Sequence, residues 1–236
     1  MKYLTMEKVV HHLSEIFDWD SKQPKEPRTL ILGSFNPYNP TDENPTDFYY
    51  SRLPKRGSGN RFWTTIGKLK YNNPKYFREN LERRFEELVE SEFMFLDLIK
   101  SIVFKSEDEM ILDQFLNKKV YGNFGDNDIW TTKTKYESIP INIKRNYNEK
   151  VLETLSNSKS IKKVINTLGG ENGNLEFNKR EKEWSEFKNQ LFQICESREI
   201  ELVLESVSPS PQGGSSEKLE KWVNNHILKK YVETFG

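Results

Sequence analysis

The chain has 236 residues, and its 36 basic and 36 acidic side chains leave no formal net charge. This balance excludes a strongly basic nucleic-acid-binding protein, although it leaves room for a local basic face. The single cysteine, Cys195, excludes an intramolecular disulfide and a cysteine-based zinc site. Three scattered histidines argue against other metal centres, so we expect no metal and no cofactor.

No apolar run approaches the roughly 18 residues that a membrane span needs. The N-terminus also lacks the apolar core of a signal peptide. We therefore expect a soluble, intracellular monomer with no membrane partner.

The first half of the chain alternates helical patterns with short buried runs. Apolar residues at helical spacing predict helices over residues 6–19 and 74–91, and a shorter helix over residues 62–69. Continuous apolar runs over residues 28–34 and 93–99 predict buried strands.

The second half begins with an irregular stretch and then repeats the alternation. Residues 118–146 have weak periodicity, and we interpret them as an irregular excursion with a short hairpin. Ser215 is a candidate N-cap of the last helix. Helices are predicted over residues 106–117, 147–156, 179–198 and 215–235, and strands over residues 162–168 and 199–206.

Four short buried runs separated by helices predict a single domain over residues 1–236. Its fold class is α/β: three layers, α/β/α, around a central, mostly parallel four-stranded sheet. Ligands of such sheets bind outside the carboxyl ends of the strands. Three of the four runs end in glycine, serine or proline, so we expect the functional site at that rim.

The segment after the first predicted strand interleaves aromatic and basic side chains. Aromatic faces stack on bases and cations pair with phosphates, so this mixture favours a nucleic-acid groove. The alternative is a surface loop that its aromatic residues anchor to the core. The aromatic members are Phe48, Tyr49, Tyr50, Phe62 and Trp63, and the basic members are Arg52, Lys55, Arg56 and Arg61.

The last predicted strand runs into the sequence SVSPSPQGG at residues 206–214. Its serines, prolines and glycines predict a rigid loop whose amides and hydroxyls can contact an anion. The N-terminus of a predicted helix follows and adds partial positive charge. The alternative is a plain turn into that helix.

Together these motifs resemble those of the uracil-DNA glycosylase superfamily, nearest to its hypoxanthine (deoxyinosine) and mismatch-specific uracil branches. The chain carries GSFNP at residues 33–37, FYY at 48–50, NRFW at 60–63 and SVSPSP at 206–211, in that family's order. The resemblance implies an enzyme that flips a deaminated base, uracil or hypoxanthine, out of DNA. Water then attacks the sugar C1′. It also implies a DNA partner, in damaged duplex or single strand, and a nucleoid-associated location.

The resemblance assigns candidate roles to single residues. Asn60 or Asn36 would position the attacking water, with a slight preference for Asn60, and a capping or turn role stays open for either. Tyr50 would stack on the flipped base. Contacts around the base would come from Gly33, Ser34 and Phe35, and contacts with DNA from Ser206, Ser208, Pro209, Ser210, Arg52, Lys55, Arg56 and Arg61, with residues 211–214 as a wedge.

The chain also departs from the family's pattern. Glu205 stands where the family usually has proline, Pro211 stands where asparagine is common, and the last motif has no histidine. An asparagine that only holds water suits a pocket without histidine. Asp97, which ends the second strand, is predicted to pair with a loop amide rather than to act in catalysis.

Two other functions compete with base excision. The first is a catalytically inactive nucleic-acid-binding module of the same fold, which the altered final loop suggests. The second is a nucleotide-binding or hydrolytic α/β enzyme unrelated to DNA. The absence of both GxGxxG and a phosphate-binding GxxxxGK[ST] loop weakens this second alternative.

Overall fold

The structure is a computed structural model that describes residues 5–36, 47–51, 60–106, 142–167, 182–209 and 215–228. The strands are β1 (Thr5–Val10), β2 (Thr29–Gly33), β3 (Phe93–Asp97), β4 (Ile99–Ser106), β5 (Asn142–Tyr147), β6 (Lys163–Asn166) and β7 (Glu201–Val203). The α-helices are α1 (Phe62–Tyr71), α2 (Leu81–Glu90), α3 (Glu149–Asn157), α4 (Lys182–Ser197) and α5 (Ser216–Val223). Short helical turns occupy His12–Ile16, Trp19–Lys22 and Asn224–Leu228.

Four strands form a parallel sheet in the order β3-β2-β6-β7. The predicted mixed α/β class and its four-stranded parallel sheet are therefore confirmed. Gly33 at the end of β2 pairs with Asp97 of β3, and Leu32 pairs with Asn166 of β6. This register brings the carboxyl ends of three strands to one edge.

Alternate residues of these strands enter two separate cores. Leu30, Leu32 and Val164 pack against α3 and α4 on one face. Ile31 and Phe95 face the other way, where α1, α2 and α5 cover the sheet. Both faces are covered, which explains why the strands are continuous apolar runs rather than alternating ones. We call the second core the aromatic core, because Phe48, Tyr49, Phe62, Trp63, Phe77, Phe93, Phe95 and Trp222 all lie in it.

A second, antiparallel sheet of three strands in the order β1-β4-β5 was not predicted. The predicted helix over residues 6–19 is wrong, because residues 5–10 form β1 and a short turn at His12–Ile16 and the start of another at Trp19 are the helical parts of this range. Val9 and Leu13 fall at helical spacing, but β1 pairs with β4, far along the chain. A local stretch of sequence contains no information about that long-range pairing.

The prediction was also wrong where β3 meets β4. The apolar run over residues 93–99 is not one strand, since β3 ends at Asp97 and β4 begins at Ile99. The end of the predicted irregular excursion forms β5, which pairs with β4. Residues 107–141 lie outside the described residues. They include nearly all of the helix predicted over residues 106–117 and most of the excursion predicted over residues 118–146.

Helix ends follow local capping. The predicted helix over residues 74–91 is shorter than expected, because α2 begins only after Asn80, whose side chain accepts the Arg83 N–H at 3.0 Å. Glu79 has a φ of 52°, which is incompatible with a continuous right-handed helix. Ser215 accepts the Lys218 N–H at 3.2 Å, which confirms the predicted cap of the last helix.

Across the described part of the chain, no helix combines the length and apolarity needed to cross a membrane.

The lone cysteine provides a test of the core. Cys195 is 3% exposed on α4, and burial raises the pKa of its thiol to about 11. About one thiol in a thousand is then ionised at pH 8, and only the thiolate reacts. We expect a disulfide reagent such as DTNB to label the native protein at least about 100-fold more slowly than the urea-unfolded protein. Equal labelling rates, followed by absorbance, would contradict this packing.

Candidate functional site

The candidate site lies at the carboxyl edge of the parallel sheet. The connection from β2 to β3 packs α1 and α2 into the aromatic core, whereas the connection from β6 to β7 places α4 on the opposite face. The connections that follow the neighbouring parallel strands β2 and β6 therefore leave toward opposite ends of the sheet, across its two opposite faces. Open parallel sheets bind ligands in the crevice above such a switch point.

A buried carboxylate occupies this edge. Asp97 is 2% exposed, and its Oδ2 accepts hydrogen bonds from His11 Nε2 at 2.6 Å and from Asn36 Nδ2 at 2.7 Å. Hydrogen bonds from N–H donors to a carboxylate are short and strong. The predicted pairing of Asp97 with a loop amide is confirmed at Asn36. His11 is a further partner that the sequence did not reveal.

The start of a helical turn fixes the orientation of His11. Its Nδ1 accepts the Ser14 N–H at 3.0 Å, so the ring proton is on Nε2 and is donated to Asp97. The Ser14 hydroxyl also lies 3.0 Å from Nδ1. These residue types match a serine hydrolase triad, but the backbone N–H already occupies the Nδ1 lone pair that would take the serine proton. We therefore interpret Ser14 as part of the cap.

Glycine at the end of β2 makes room for the carboxylate. A Cβ at position 33 would overlap Asp97 Oδ1 and would lie 2.8 Å from the Tyr50 hydroxyl. Gly33 thus has a steric role, since it allows Asp97 and Tyr50 to approach the same point on the central strand.

The residues that flank Gly33 contribute more to the scaffold than was predicted. The Gly33 and Ser34 carbonyls accept the N–H groups of Leu98 and Ile99, both at 3.0 Å, and so hold the end of β2 to the junction between β3 and β4. Phe35 is 7% exposed and packs in the core on the α3 and α4 face. The predicted contacts of these residues with a base remain predictions.

Tyr50 bridges the switch point. Its hydroxyl donates to Thr167 Oγ1 at 2.6 Å, and Thr167 in turn donates to the Leu32 carbonyl at 2.9 Å. One face of the half-buried ring stacks on Phe62, with 5.0 Å between ring centroids. Its φ of 55° is strained for a bulky residue, so the surrounding contacts must hold it.

The other aromatic residues of the segment anchor it to the core. Trp63 Nε1 donates to the Tyr49 carbonyl at 2.7 Å, and Tyr49 stacks on Phe95 at 5.3 Å. Burial, with Asp97 and Asp20 nearby, raises the pKa of Tyr49 well above its usual value. The anchoring alternative therefore describes Phe48, Tyr49, Phe62 and Trp63, and Tyr50 alone of the five is only half-buried.

The two candidate asparagines differ in what their side chains do. Asn60 Oδ1 accepts the Phe62 N–H at 2.9 Å, so its carbonyl oxygen satisfies the first N–H of α1 from the residue before the N-cap, Arg61. Asn36 instead donates its side-chain nitrogen to the buried Asp97. The geometry therefore favours Asn36 for a role at the edge of the sheet, and the capping alternative fits Asn60.

The two distant motif segments lie side by side. The Arg61 backbone N–H donates to the Pro209 carbonyl at 2.9 Å, and Arg61 Nη1 lies 3.3 Å from Ser216 Oγ. The Trp222 indole donates to the Glu205 carbonyl at 3.1 Å and holds the second segment on α5. Pro209 is buried in this contact, Ser208 is 8% exposed and Ser206 is half-buried.

Four of the predicted DNA contacts lie outside the described residues. They are Arg52, Lys55, Arg56 and Ser210, and the predicted wedge at residues 211–214 lies outside them as well. Of the predicted basic residues, Arg61 is the one that the structure locates. Within the described ranges, no group of three or more histidine, cysteine or acidic side chains could hold a metal ion.

Comparison of the chain with protein-family models, with curated proteins and with solved structures finds no match in any of the three.

Replacing Gly33 by alanine tests the steric role of this glycine. We expect a loss of about 1–3 kcal/mol in the free energy of unfolding, because an added methyl group in filled space displaces its neighbours. Urea denaturation measures the loss. Asp97→Ala removes the group that the methyl would overlap, so Gly33→Ala should cost measurably less in that background. The same cost in both backgrounds would show that the overlap is not the cause.

Proposed function

We propose that the chain is a monofunctional DNA glycosylase of the uracil-DNA glycosylase type, which removes a deaminated base by hydrolysis. The observation that carries the proposal is the meeting of the NRFW and SVSP segments through the Arg61–Pro209 hydrogen bond. The resemblance rests on those two segments, on FYY at residues 48–50 and on GSFNP, which begins at Gly33 on the same sheet edge. Function in this fold class is expected at that edge.

The described residues offer parts that the chemistry needs. A flipped base requires a stacking partner beside a polar pocket, and Tyr50 is the aromatic residue of the segment that remains partly exposed. Water must approach C1′ on the side away from the departing base, and the Asn36 side chain can hold it by a hydrogen bond. Hydrolysis then adds a hydroxyl to C1′ and returns a proton to the base.

Electrostatics at the edge are suited to this reaction. Cleavage of the bond between base and sugar leaves positive charge on the sugar and negative charge on the base. The carboxylate of Asp97 is close to Asn36 and buried. Its negative charge therefore stabilises the positive charge that develops on the sugar, with little screening by water. No strong base has to lie next to the water.

A base-release assay tests the proposal. We expect the purified protein to release uracil or hypoxanthine from a synthetic DNA duplex and to leave an abasic site that alkali cleaves. The substrate series contains uracil, hypoxanthine, xanthine and thymine mismatches, as duplex and as single strand. Asn36→Ala should lower the single-turnover rate by about 100-fold or more.

Asn60→Ala is the matched comparison. It should cost about 1 kcal/mol of stability through the lost cap and leave most of the base release intact. Full activity of the Asn36→Ala, Asn60→Ala double variant would contradict the proposed role of the asparagines. Salt-dependent binding without release of any base would favour the inactive nucleic-acid-binding module instead.

Arg61 tests whether this edge meets DNA. In Arg61→Gln we expect weaker binding to duplex DNA and a log–log salt slope shallower by about 0.9, the value for one lost phosphate contact. Fluorescence anisotropy across a salt series measures both quantities. Arg78→Gln removes the same charge from an exposed pair with Glu79 and should leave the slope unchanged. Equal slopes for the wild type and Arg61→Gln would remove Arg61 from the interface.

A further inference from the structure

We propose that His11 and Asp97 are positioning residues that hold the Asn36 carboxamide with its carbonyl oxygen turned away from Asp97 and toward the reacting water. This inference rests on the proposed function for its catalytic consequence. The arrangement of the three side chains is a separate matter that can be tested without catalysis.

The orientation of Asn36 follows from the chemistry of its partner. A carboxylate accepts hydrogen bonds and donates none, so the atom of Asn36 that lies 2.7 Å from Asp97 Oδ2 must be the amide nitrogen. The two polar atoms of a carboxamide project from opposite sides of the same carbon. The carbonyl oxygen of Asn36 is therefore directed away from Asp97, and a carbonyl oxygen is the group that can accept a hydrogen bond from water.

His11 holds the carboxylate in place. Its Nε2–H is directed at the Asp97 oxygen that Asn36 also contacts, and the Ser14 N–H on Nδ1 prevents the ring from offering its other tautomer. His11 is 1% exposed, so water cannot easily replace it as a donor. Without this donor, the buried carboxylate would lack a hydrogen bond and would move toward another N–H group. The Asn36 amide, which is bonded to the same oxygen, would move with it.

The same turn also holds the Asn36 main chain. His12 is the residue after His11, and its backbone N–H donates to the Asn36 main-chain carbonyl at 2.6 Å. The turn thus holds the Asn36 backbone directly, and it holds the Asn36 side chain indirectly, through the contact of His11 with Asp97.

A double-mutant cycle separates positioning from general support of the fold. We expect His11→Phe to lower the single-turnover rate of base release by about 100-fold, because misplacement by about 1 Å has an effect of that size. The dissociation constant for the lesion duplex should change little. In the Asn36→Ala background, His11→Phe should have almost no further effect on the rate. An undiminished 100-fold effect in that background would overturn the proposal.

Two further variants keep the test decisive if His11→Phe folds poorly. His11→Gln retains an N–H donor for Asp97 and should recover most of the rate lost in the phenylalanine variant. Ser197→Ala removes a hydroxyl that is exposed on α4 and bonds the Ile194 carbonyl, outside this network, so its rate should match the wild type. A rate for His11→Gln as low as that of His11→Phe would contradict a donor role.

An NMR measurement is independent of activity. The side-chain amide protons of Asn36, observed with ¹⁵N labelling, should exchange slowly and should shift on His11→Phe, whereas those of exposed Asn72 should not. Unchanged Asn36 signals would overturn the positioning of this side chain, even in an active enzyme. Absence of base release from every substrate, with the expected Asn36 shift, would instead refute the glycosylase and leave the arrangement established.

Discussion

A buried carboxylate has to be surrounded by hydrogen-bond donors, because an unpaired charge inside a protein costs several kcal/mol. Asp97 imposes this requirement at the carboxyl edge of the parallel sheet, and its two donors come from separate parts of the chain. His11 follows β1, and Asn36 follows β2. Gly33 is needed as well, since any side chain at that position would occupy the space of the carboxylate. One buried carboxyl group thus links the segments that follow β1 and β2.

The aromatic core provides the rigid support for this edge. Phe62 and Trp63 begin α1 and hold residues 48–50 through ring stacking and the indole hydrogen bond to Tyr49. Tyr50 can then remain in a strained backbone conformation with its hydroxyl on Thr167. The same helix start leads back to Arg61, whose main chain contacts Pro209. Packing of large rings therefore fixes the start of α1, and the backbone hydrogen bond of Arg61 joins it to the loop after β7.

The antiparallel sheet has a role beyond extending the fold. β1 pairs with β4, and β4 follows the end of β3 after a single residue. This connection carries the end of β1 to the point where Asp97 lies, so that the next residue, His11, reaches the carboxylate. A short turn then follows at His12–Ile16, because the His11 ring accepts the Ser14 N–H. Sheet pairing and local capping together deliver a histidine to the carboxyl edge.

The sequence by itself determined the parallel sheet, the cap of the last helix and the two loops at which function is expected. Each depends on patterns within a few residues: apolar runs of strand length, a serine before a helix, or glycine at a strand end. It also indicated that Asp97 would pair with a loop amide, because a lone acid at the end of an apolar run needs a partner. The antiparallel sheet, the place of His11 and the burial of most aromatic residues of the first loop depended on tertiary structure alone. β1 and β4 are far apart along the chain, so their pairing leaves no local signal. The apolar residues of β1 and of the turn after it also fall at a spacing that is compatible with a helix. Tertiary structure also distinguishes Asn36 from Asn60, because the partner of the first side chain is a buried carboxylate and the partner of the second is the first N–H of a helix.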